Sequence, residues 1–236
     1  MDKKALQLLS RFSLPPNALG YCGMESAPEK FKKCVIEGKC SGVPTEIKKF
    51  IVLNPYLKTI AEVTGKNPFS YEVAEAYWLG NNLLKKFKPE HYKLLLQNLK
   101  KQGVPNWIID ELSEKDLKKF IPFHLFQILN AGVGRTSVKD PYNIKMMNSC
   151  MVRWGKITKI EENKVTVNLN SLKEEKGNYG LELIKETADA IPGFFKSLRK
   201  GDTVAVHWGI AVKKLTQKEI KNLEYWTDRV ISLFSK

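Results

Sequence analysis

Apolar residues recur at helical spacing from residue 1 to about residue 140. The clearest segments are AEAYWLGNNLLKKF (74–87) and PEHYKLLLQNLKKQG (89–103), where Pro89 suits a first helical turn and Gly103 a C-terminal cap. The same spacing predicts further helices at 2–12, 28–38, 45–64, 105–120 and 122–131, separated by short breakers of which Pro15-Pro16 is the first. We therefore expect an all-helical domain over residues 1–140.

The period changes after GVGRTSVKDPYN (132–143), a stretch of turn formers that we interpret as a linker. Beyond it the apolar residues alternate, which predicts strands at 150–160, 164–170, 179–187 and 203–212. The closing segment 216–234 is an amphipathic helix that Thr216 and Glu219 begin with a capping box. The sequence thus predicts an α+β chain, in which the helical domain is followed by a small OB-like β-barrel with a C-terminal helix over residues 146–236.

The net charge of +14 raises the question of a nucleic-acid partner. Residues 1–145 hold 23 basic and 14 acidic side chains, and residues 146–236 hold 16 and 11, so neither part is a basic arm. Only 5 of the 39 basic residues are Arg, the side chain that reads bases and binds phosphate in a bidentate manner. The charge therefore leaves nucleic acid as a disfavoured partner.

Membrane insertion and secretion are not expected from this sequence. It has no run of eighteen apolar residues, and its opening stretch MDKKALQLLSRF lacks the pattern of a signal peptide. The expected location is the cytoplasm.

The four cysteines, at positions 22, 34, 40 and 150, include no CxxC pair. In an intracellular chain we expect reduced thiols, with Cys34 and Cys40 structural at the end of a Lys-rich helix. Glycine-rich nucleotide loops, HExxH and GxSxG are also absent from the sequence, so no catalytic motif requires an enzyme.

The strongest local signal lies in the C-terminal half. Cys150 precedes a Gly155-Lys156-Ile157 step, and a later run reads Gly-Asp-Thr-Val-Ala-Val-His-Trp-Gly-Ile-Ala (201–211). This order, over roughly residues 150–230, resembles the hydrogenase-maturation chaperones of the HypC/HupF type, which are small OB-like proteins.

The resemblance implies a site with Cys150 as an iron ligand and His207 as a neighbour that ligates iron or tunes the thiol. In that family the iron carries cyanide and carbon monoxide, and the partners are other hydrogenase-maturation proteins or the precursor of the hydrogenase large subunit. A soft thiolate suits such an iron centre. The remainder of the motif supplies candidate binding residues, namely Gly201, Asp202, Trp208 and Gly209.

The residues themselves leave simpler roles open for this pair. At the start of a strand Cys150 would be both rigid and exposed, yet a single cysteine there also serves as a small apolar filler. Alternation places His207 with Thr203 and Ala205, opposite Val204, Val206 and Trp208. A surface-facing or hydrogen-bonded structural histidine is therefore an equal alternative to a ligand.

A second candidate site lies in FSLPPNALGYCGM (12–24). The PPNxLGYCG pattern resembles that of an uncharacterised helical family, and prolines beside glycines often frame a site, here with Asn17, Tyr21 and Cys22. Glu75 and His124 are added because a charged or imidazole group on an apolar helix face requires partners. A well-packed turn between helices is the alternative interpretation.

Three classes of function follow from these patterns. The first is a hydrogenase-maturation chaperone-like protein that binds an iron-centre intermediate or a client through its thiol. The second is an OB-fold protein that binds single-stranded nucleic acid by stacking bases on Trp154, Tyr179 and Trp208. The third, for which the sequence offers spacing but no motif, is an enzyme with Cys22 or Cys150 as nucleophile and His124 or His207 as base.

Overall fold

The computed structural model describes residues 2–134 and 139–235. The chain forms two compact units, Met1–Asn130 and Ala131–Lys236, whereas the predicted ranges 1–140 and 146–236 place the boundary later. Helices make up the first unit, and a five-stranded sheet with a C-terminal helix makes up most of the second, so the α+β class is confirmed. Part of the predicted linker, residues 135–138, lies outside the described residues. Within the described ranges, every helix is too short or too polar to cross a membrane.

The helices of the first unit follow one another with short connections. They are α1 (Lys3–Ala18), α2 (Ala27–Glu37), α3 (Val43–Ile47), α4 (Leu53–Thr64), α5 (Tyr71–Trp78), a 3₁₀ helix (Asn82–Lys86), α6 (His91–Lys101), α7 (Asn106–Ser113) and α8 (His124–Ala131).

Helix α1 continues through Pro15-Pro16, where the sequence predicted a break. Both prolines and their neighbours are buried, so packing of the apolar surface offsets the two backbone donors that proline removes. The predicted helix 45–64 is instead two helices, α3 and α4. The predicted 74–87 helix ends at Trp78, and a separate 3₁₀ helix begins at Asn82 after a turn at Gly80.

Cys34 and Cys40 form a disulfide, which contradicts the expectation of reduced thiols. Helix α2 ends at Gly38, whose left-handed φ of 72° turns the chain back and brings Cys40 to Cys34. Six positions separate the two cysteines, a spacing that does not reveal this reversal in the sequence.

The second unit begins with α9 (Ile144–Cys150) and ends with α10 (Gln217–Phe234). Between them lie the strands β1 (Arg153–Glu161), β2 (Lys164–Glu175), β3 (Asn178–Ala190), β4 (Thr203–His207) and β5 (Ile210–Lys214). The sheet order is β1-β2-β3-β5-β4, with β4 also pairing with β1, so the pairings close on themselves. The β3–β5 pair is parallel, and the others are antiparallel.

The inner face of this sheet holds a cluster of apolar side chains, among them Ile157, Val167, Val204 and Val206. Gly155 lies where β1 and β2 come so close that a Cβ atom would stand 1.7 Å from the carbonyl oxygen of Asn168. The glycine of the Gly-Lys-Ile step is therefore a requirement of strand packing.

The predicted strand 203–212 is two strands joined by a two-residue turn at Trp208-Gly209. Because Val204 and Val206 join the inner cluster, alternation directs His207 to the other face, as predicted. The capping box of α10 is confirmed, since the Thr216 hydroxyl accepts from the Glu219 N–H and the Glu219 carboxylate accepts from the Thr216 N–H.

Candidate functional site

Cys150 is the last residue of helix α9, three residues before the start of the strand that it was expected to open. The expectation of an exposed thiol is also wrong, because Cys150 is only 6% exposed. Asn143 caps the start of the helix by accepting from the N–H groups of Lys145 and Met146. The helix stops at Cys150 because Met151 is already extended.

Two contacts fix the C-terminal end of α9. The side-chain amide of Asn148 donates to the Leu172 carbonyl at 2.8 Å and accepts from the Leu172 N–H at 2.7 Å, as a neighbouring strand would. On the other side the Ser149 carbonyl accepts from the Trp208 N–H at 2.8 Å. Because Ser149 precedes Cys150 and Trp208 follows His207, this second bond holds the two candidate residues beside each other.

His207 is the last residue of β4 and is 1% exposed, so the surface-facing alternative is wrong. The turn after it contains Trp208 with a φ of 51° and Gly209 with a φ of 72°. Glycine adopts this left-handed region freely, but for a bulky side chain such as Trp208 it carries strain. The hydrogen bond to Ser149 and the burial of the indole offset that strain and keep the turn in place.

The Cys150 sulfur and a ring nitrogen of His207 lie within 4.8 Å of each other. Two ligands of one tetrahedral ion, at roughly 2.3 Å for sulfur and 2.1 Å for nitrogen, are about 3.6 Å apart. A small movement of either side chain therefore allows both to bind one soft metal ion, and a thiolate with an imidazole is a donor set suited to such an ion.

Arg153 anchors the start of β1, three residues after Cys150. Its guanidinium forms a bidentate ion pair with Glu186 at 2.6 and 2.9 Å and donates to the Ser171 hydroxyl at 3.3 Å. The side chain is almost fully buried. This bridge ties β1 to β2 and β3, so that the segment from Cys150 to Arg153 is held at both of its ends.

Gly201 and Asp202 lie at the opposite end of β4 from His207, about 16 Å along the strand at its usual rise. Gly201 donates to the Ile157 carbonyl, and the Asp202 carbonyl accepts from the Ile157 N–H. The Asp202 carboxylate pairs with Lys214 at 2.7 Å, which holds the pKa of that carboxyl below its usual value. These two motif residues thus form a turn that closes the sheet, and they are not at the Cys150–His207 pair.

The aromatic residues expected to stack bases do not form a stacking surface. The rings of Trp154 and Trp208 are buried, and Tyr179 is half-buried. Base stacking requires an exposed ring face, so the structure removes two of the three residues on which the nucleic-acid hypothesis depended.

In the first unit, Asn17 holds the loop that follows α1. Its side-chain amide donates to the carbonyls of Cys22 and Met24 at 2.6 and 3.0 Å. Tyr21 and Cys22 are exposed as residues, yet desolvation by the loop around the sulfur raises the pKa of the Cys22 thiol to about 11. A thiol that stays protonated at neutral pH is a poor nucleophile, which weakens the enzyme hypothesis for Cys22.

Glu75 and His124 have partners of their own in the first unit. Glu75 accepts from the Asn81 side chain at 2.8 Å. The Tyr77 hydroxyl donates to Gln127 at 2.7 Å and shares a second hydrogen bond of 2.9 Å with Nδ1 of His124. The His124 ring also packs on Trp78 with 4.5 Å between centroids. These bonds orient both side chains, as the need for partners predicted.

Comparison with known proteins gives one match. A model of a family of unknown function, DUF6390, matches residues 1–236. The chain belongs to this family. No curated protein and no solved structure matches it.

Three residues that position the pair were missed in the sequence, namely Asn148, Ser149 and Arg153. Asn148 and Ser149 stand directly before Cys150. A polar Asn-Ser-Cys segment ahead of an apolar run indicates side chains that form hydrogen bonds with backbone groups. Arg153 is one of only 5 arginines in the chain, and it lies between apolar neighbours, where a charge needs a partner.

Proposed function

We propose that this chain is a hydrogenase-maturation chaperone-like protein that holds an iron-centre assembly intermediate through the thiolate of Cys150. His207 serves as second ligand or as the group that orients and tunes the thiol. The observation that carries the proposal is the buried pair itself, with sulfur and ring nitrogen within 4.8 Å of each other.

The way the pair is held supports this role. Cys150 and His207 are distant in sequence, and the backbone hydrogen bond from Trp208 to Ser149 brings them together. The turn that makes this bond has Trp208 in the left-handed backbone region. Strained backbone of this kind persists where the surroundings fix it, and it often accompanies a binding site. A cysteine that only filled space would need neither the strained turn nor an imidazole beside it.

The closed sheet suits the OB-like barrel that the proposal assumes. Its pairings return from β4 to β1, and its inner face is apolar. The glycine and aspartate of the motif shape the turn before β4, which places His207 at the far end of that strand. In the proposed function Gly201 and Asp202 shape the fold around the site, and Cys150 binds the iron-centre intermediate.

The partners that fit this function are other hydrogenase-maturation proteins or the large-subunit precursor, and the place of action is the cytoplasm. A buried site limits the access of water to a bound iron centre. The iron-centre intermediate, which is bulkier than a bare metal ion, reaches Cys150 only when the surroundings of the thiol open, so we expect its loading to require a donor partner.

Infrared spectroscopy of the protein, purified anaerobically from cells that mature a nickel-iron hydrogenase, tests the proposal. We expect bands of iron-bound cyanide and carbon monoxide in the parent protein, their loss in Cys150→Ala and a shift or weakening in His207→Ala. Cys22→Ala is the matched control, since it removes the other cysteine that is outside the disulfide and should retain the bands.

Cobalt(II) titration under anaerobic conditions provides a second readout that does not depend on a partner. Thiolate-to-cobalt charge-transfer absorption should form with the parent protein and with Cys22→Ala, and not with Cys150→Ala. Circular dichroism establishes that each variant is folded. Carbon monoxide and cyanide bands of equal strength in Cys150→Ala, or their absence from the parent protein in cells with active hydrogenase, would refute the proposal.

A further inference from the structure

The loop after α1 is held in one conformation by contacts from its own unit. Asn17 donates two hydrogen bonds to its backbone, at Cys22 and Met24. Gly23 has a left-handed φ of 79° and packs so closely that a Cβ atom would stand 2.6 Å from the Phe50 ring. The backbone of residues 19–24 is therefore fixed, and glycine is required where it meets Phe50.

This fixed loop directs large apolar side chains into solvent. Leu19, Tyr21 and Met24 are between 42% and 56% exposed. Ile51, which follows the Phe50 that Gly23 packs against, is 55% exposed. We call these four residues the loop patch. Scattered exposed apolar residues are ordinary, but four on adjoining stretches of a well-anchored surface mark an interaction site.

The size of the loop patch indicates a short segment as its partner. Side chains of this size at these exposures present on the order of 400 Å², roughly half of the ~800 Å² per partner that a standard stable interface buries. A second copy of this chain would thus gain too little area for a stable dimer. One apolar face of a single amphipathic helix fits the patch better.

The basic residues that precede Ile51 in the chain favour an acidic partner, since Lys48 and Lys49 stand directly before Phe50 and Ile51. Lys48 is exposed and, among the described residues, makes no ion pair, while Lys30 and Lys49 share the single carboxylate of Glu46. Residues 1–130 hold 20 basic and 13 acidic side chains.

We propose that the loop patch, formed by Leu19, Tyr21, Met24 and Ile51 and flanked by Lys48, is a docking site for an acidic amphipathic segment of a partner protein. The apolar face of the segment covers the patch, and its carboxylates pair with Lys48. Because the loop is already ordered, binding loses little conformational entropy there. The site is independent of Cys150, so either proposal stands if the other fails.

Fluorescence anisotropy with the full chain tests the docking site. The probes are three labelled 18-residue peptides: an amphipathic Leu/Glu helix, the same helix with Lys in place of Glu, and a Leu/Glu peptide scrambled to remove the apolar face. We expect saturable binding of the first peptide alone. The double variant Leu19→Ser with Met24→Ser should weaken it at least tenfold, and Lys48→Glu should weaken it severalfold.

The matched control is Leu183→Ser, which removes a 70% exposed apolar side chain from β3 and should leave the affinity unchanged. Circular dichroism checks that the variants are folded. Failure of the Leu/Glu peptide to bind, equal binding of the Lys or scrambled peptide, or an unchanged affinity in the double variant would each overturn the proposal.

Two further measurements distinguish other occupants of the loop patch. Sedimentation velocity would overturn the proposal if the chain dimerised and the double variant did not. Co-sedimentation with phosphatidylserine/phosphatidylcholine vesicles tests a membrane as the occupant. The proposal would be overturned if the double variant lost vesicle binding but kept peptide binding. The proposed partner is supported if the protein is monomeric, does not bind the vesicles and binds the Leu/Glu peptide.

Discussion

Gly155 shows how one position controls the path of a whole strand. It pairs with Leu169 on one side and Val204 on the other, near the start of β1. Backbone of β2 passes where its Cβ would be, 1.7 Å from the Asn168 carbonyl oxygen. A glycine within a sequence motif can thus be required for close packing of two strands and not for binding a ligand.

Gly155→Ala should destabilise the C-terminal unit by about 3 kcal/mol, because β1 and β2 must separate to accept the methyl group. Urea denaturation followed by circular dichroism measures the change in the free energy of unfolding. Gly180→Ala is the control, since its added Cβ meets only the flexible Lys173 side chain at 3.4 Å. Equal stability of the two variants would show that the close approach of the strands is not rigid.

Cys150 and His207 show that the possible role of a single residue depends on which side chains surround it in the fold. In the sequence only a resemblance suggested a metal site for them, and the apolar-filler and structural-histidine interpretations were reasonable for each alone. The bond between Ser149 and Trp208 places them together, and this bond joins residues 59 positions apart. Chemistry at this site therefore depends on the tertiary structure.

At the scale of elements, a disulfide joins helix α2 to the segment that leads into helix α3. Cys34 lies within α2, and Cys40 lies in the turn before α3. Both cysteines are buried. The bond limits how far the turn can open around Gly38.

Reduction of this disulfide should lower the stability of the helical unit by about 2 kcal/mol, the value expected for a loop this short. Thermal unfolding with and without dithiothreitol measures it, and the melting temperature should fall on reduction. Cys34→Ser with Cys40→Ser should remove the response to dithiothreitol, and Cys22→Ala should retain it. A melting temperature that dithiothreitol leaves unchanged in the parent protein would contradict the bond.

Some elements could be predicted well from the sequence and others could not. The capping box of α10 and the alternation of β2 are local, since every residue that defines them lies within a few positions. The break of the 203–212 run at Trp208-Gly209 was missed because tryptophan does not favour a left-handed turn. The extension of α1 through Pro15-Pro16 was missed because burial outweighed the local signal.

At the scale of the whole molecule, the net charge of +14 is spread over both units. Such a surface attracts polyanions without recognising them. With Trp154 and Trp208 buried, binding to nucleic acid would rest on Lys side chains and not on stacking.

A labelled oligothymidylate should therefore bind weakly at 50 mM salt and lose its binding at 300 mM salt, because lysine–phosphate contacts release counterions. Fluorescence anisotropy measures this, and Tyr179→Ala should bind the oligonucleotide as the parent protein does. Binding that persists at 300 mM salt and falls in Tyr179→Ala would restore the nucleic-acid hypothesis.

The sequence by itself determined the α+β class, the change of period between the two parts, the capped C-terminal helix and the residues worth considering as ligands. These properties depend on side-chain spacing within a few turns or one strand, where periodicity and propensity act. The tertiary structure alone decided that Cys150 ends a helix and is buried beside His207, that Cys34 bonds Cys40, and that Leu19, Tyr21 and Met24 face solvent. Those outcomes depend on which distant backbones meet, and no local pattern in the chain encodes that meeting.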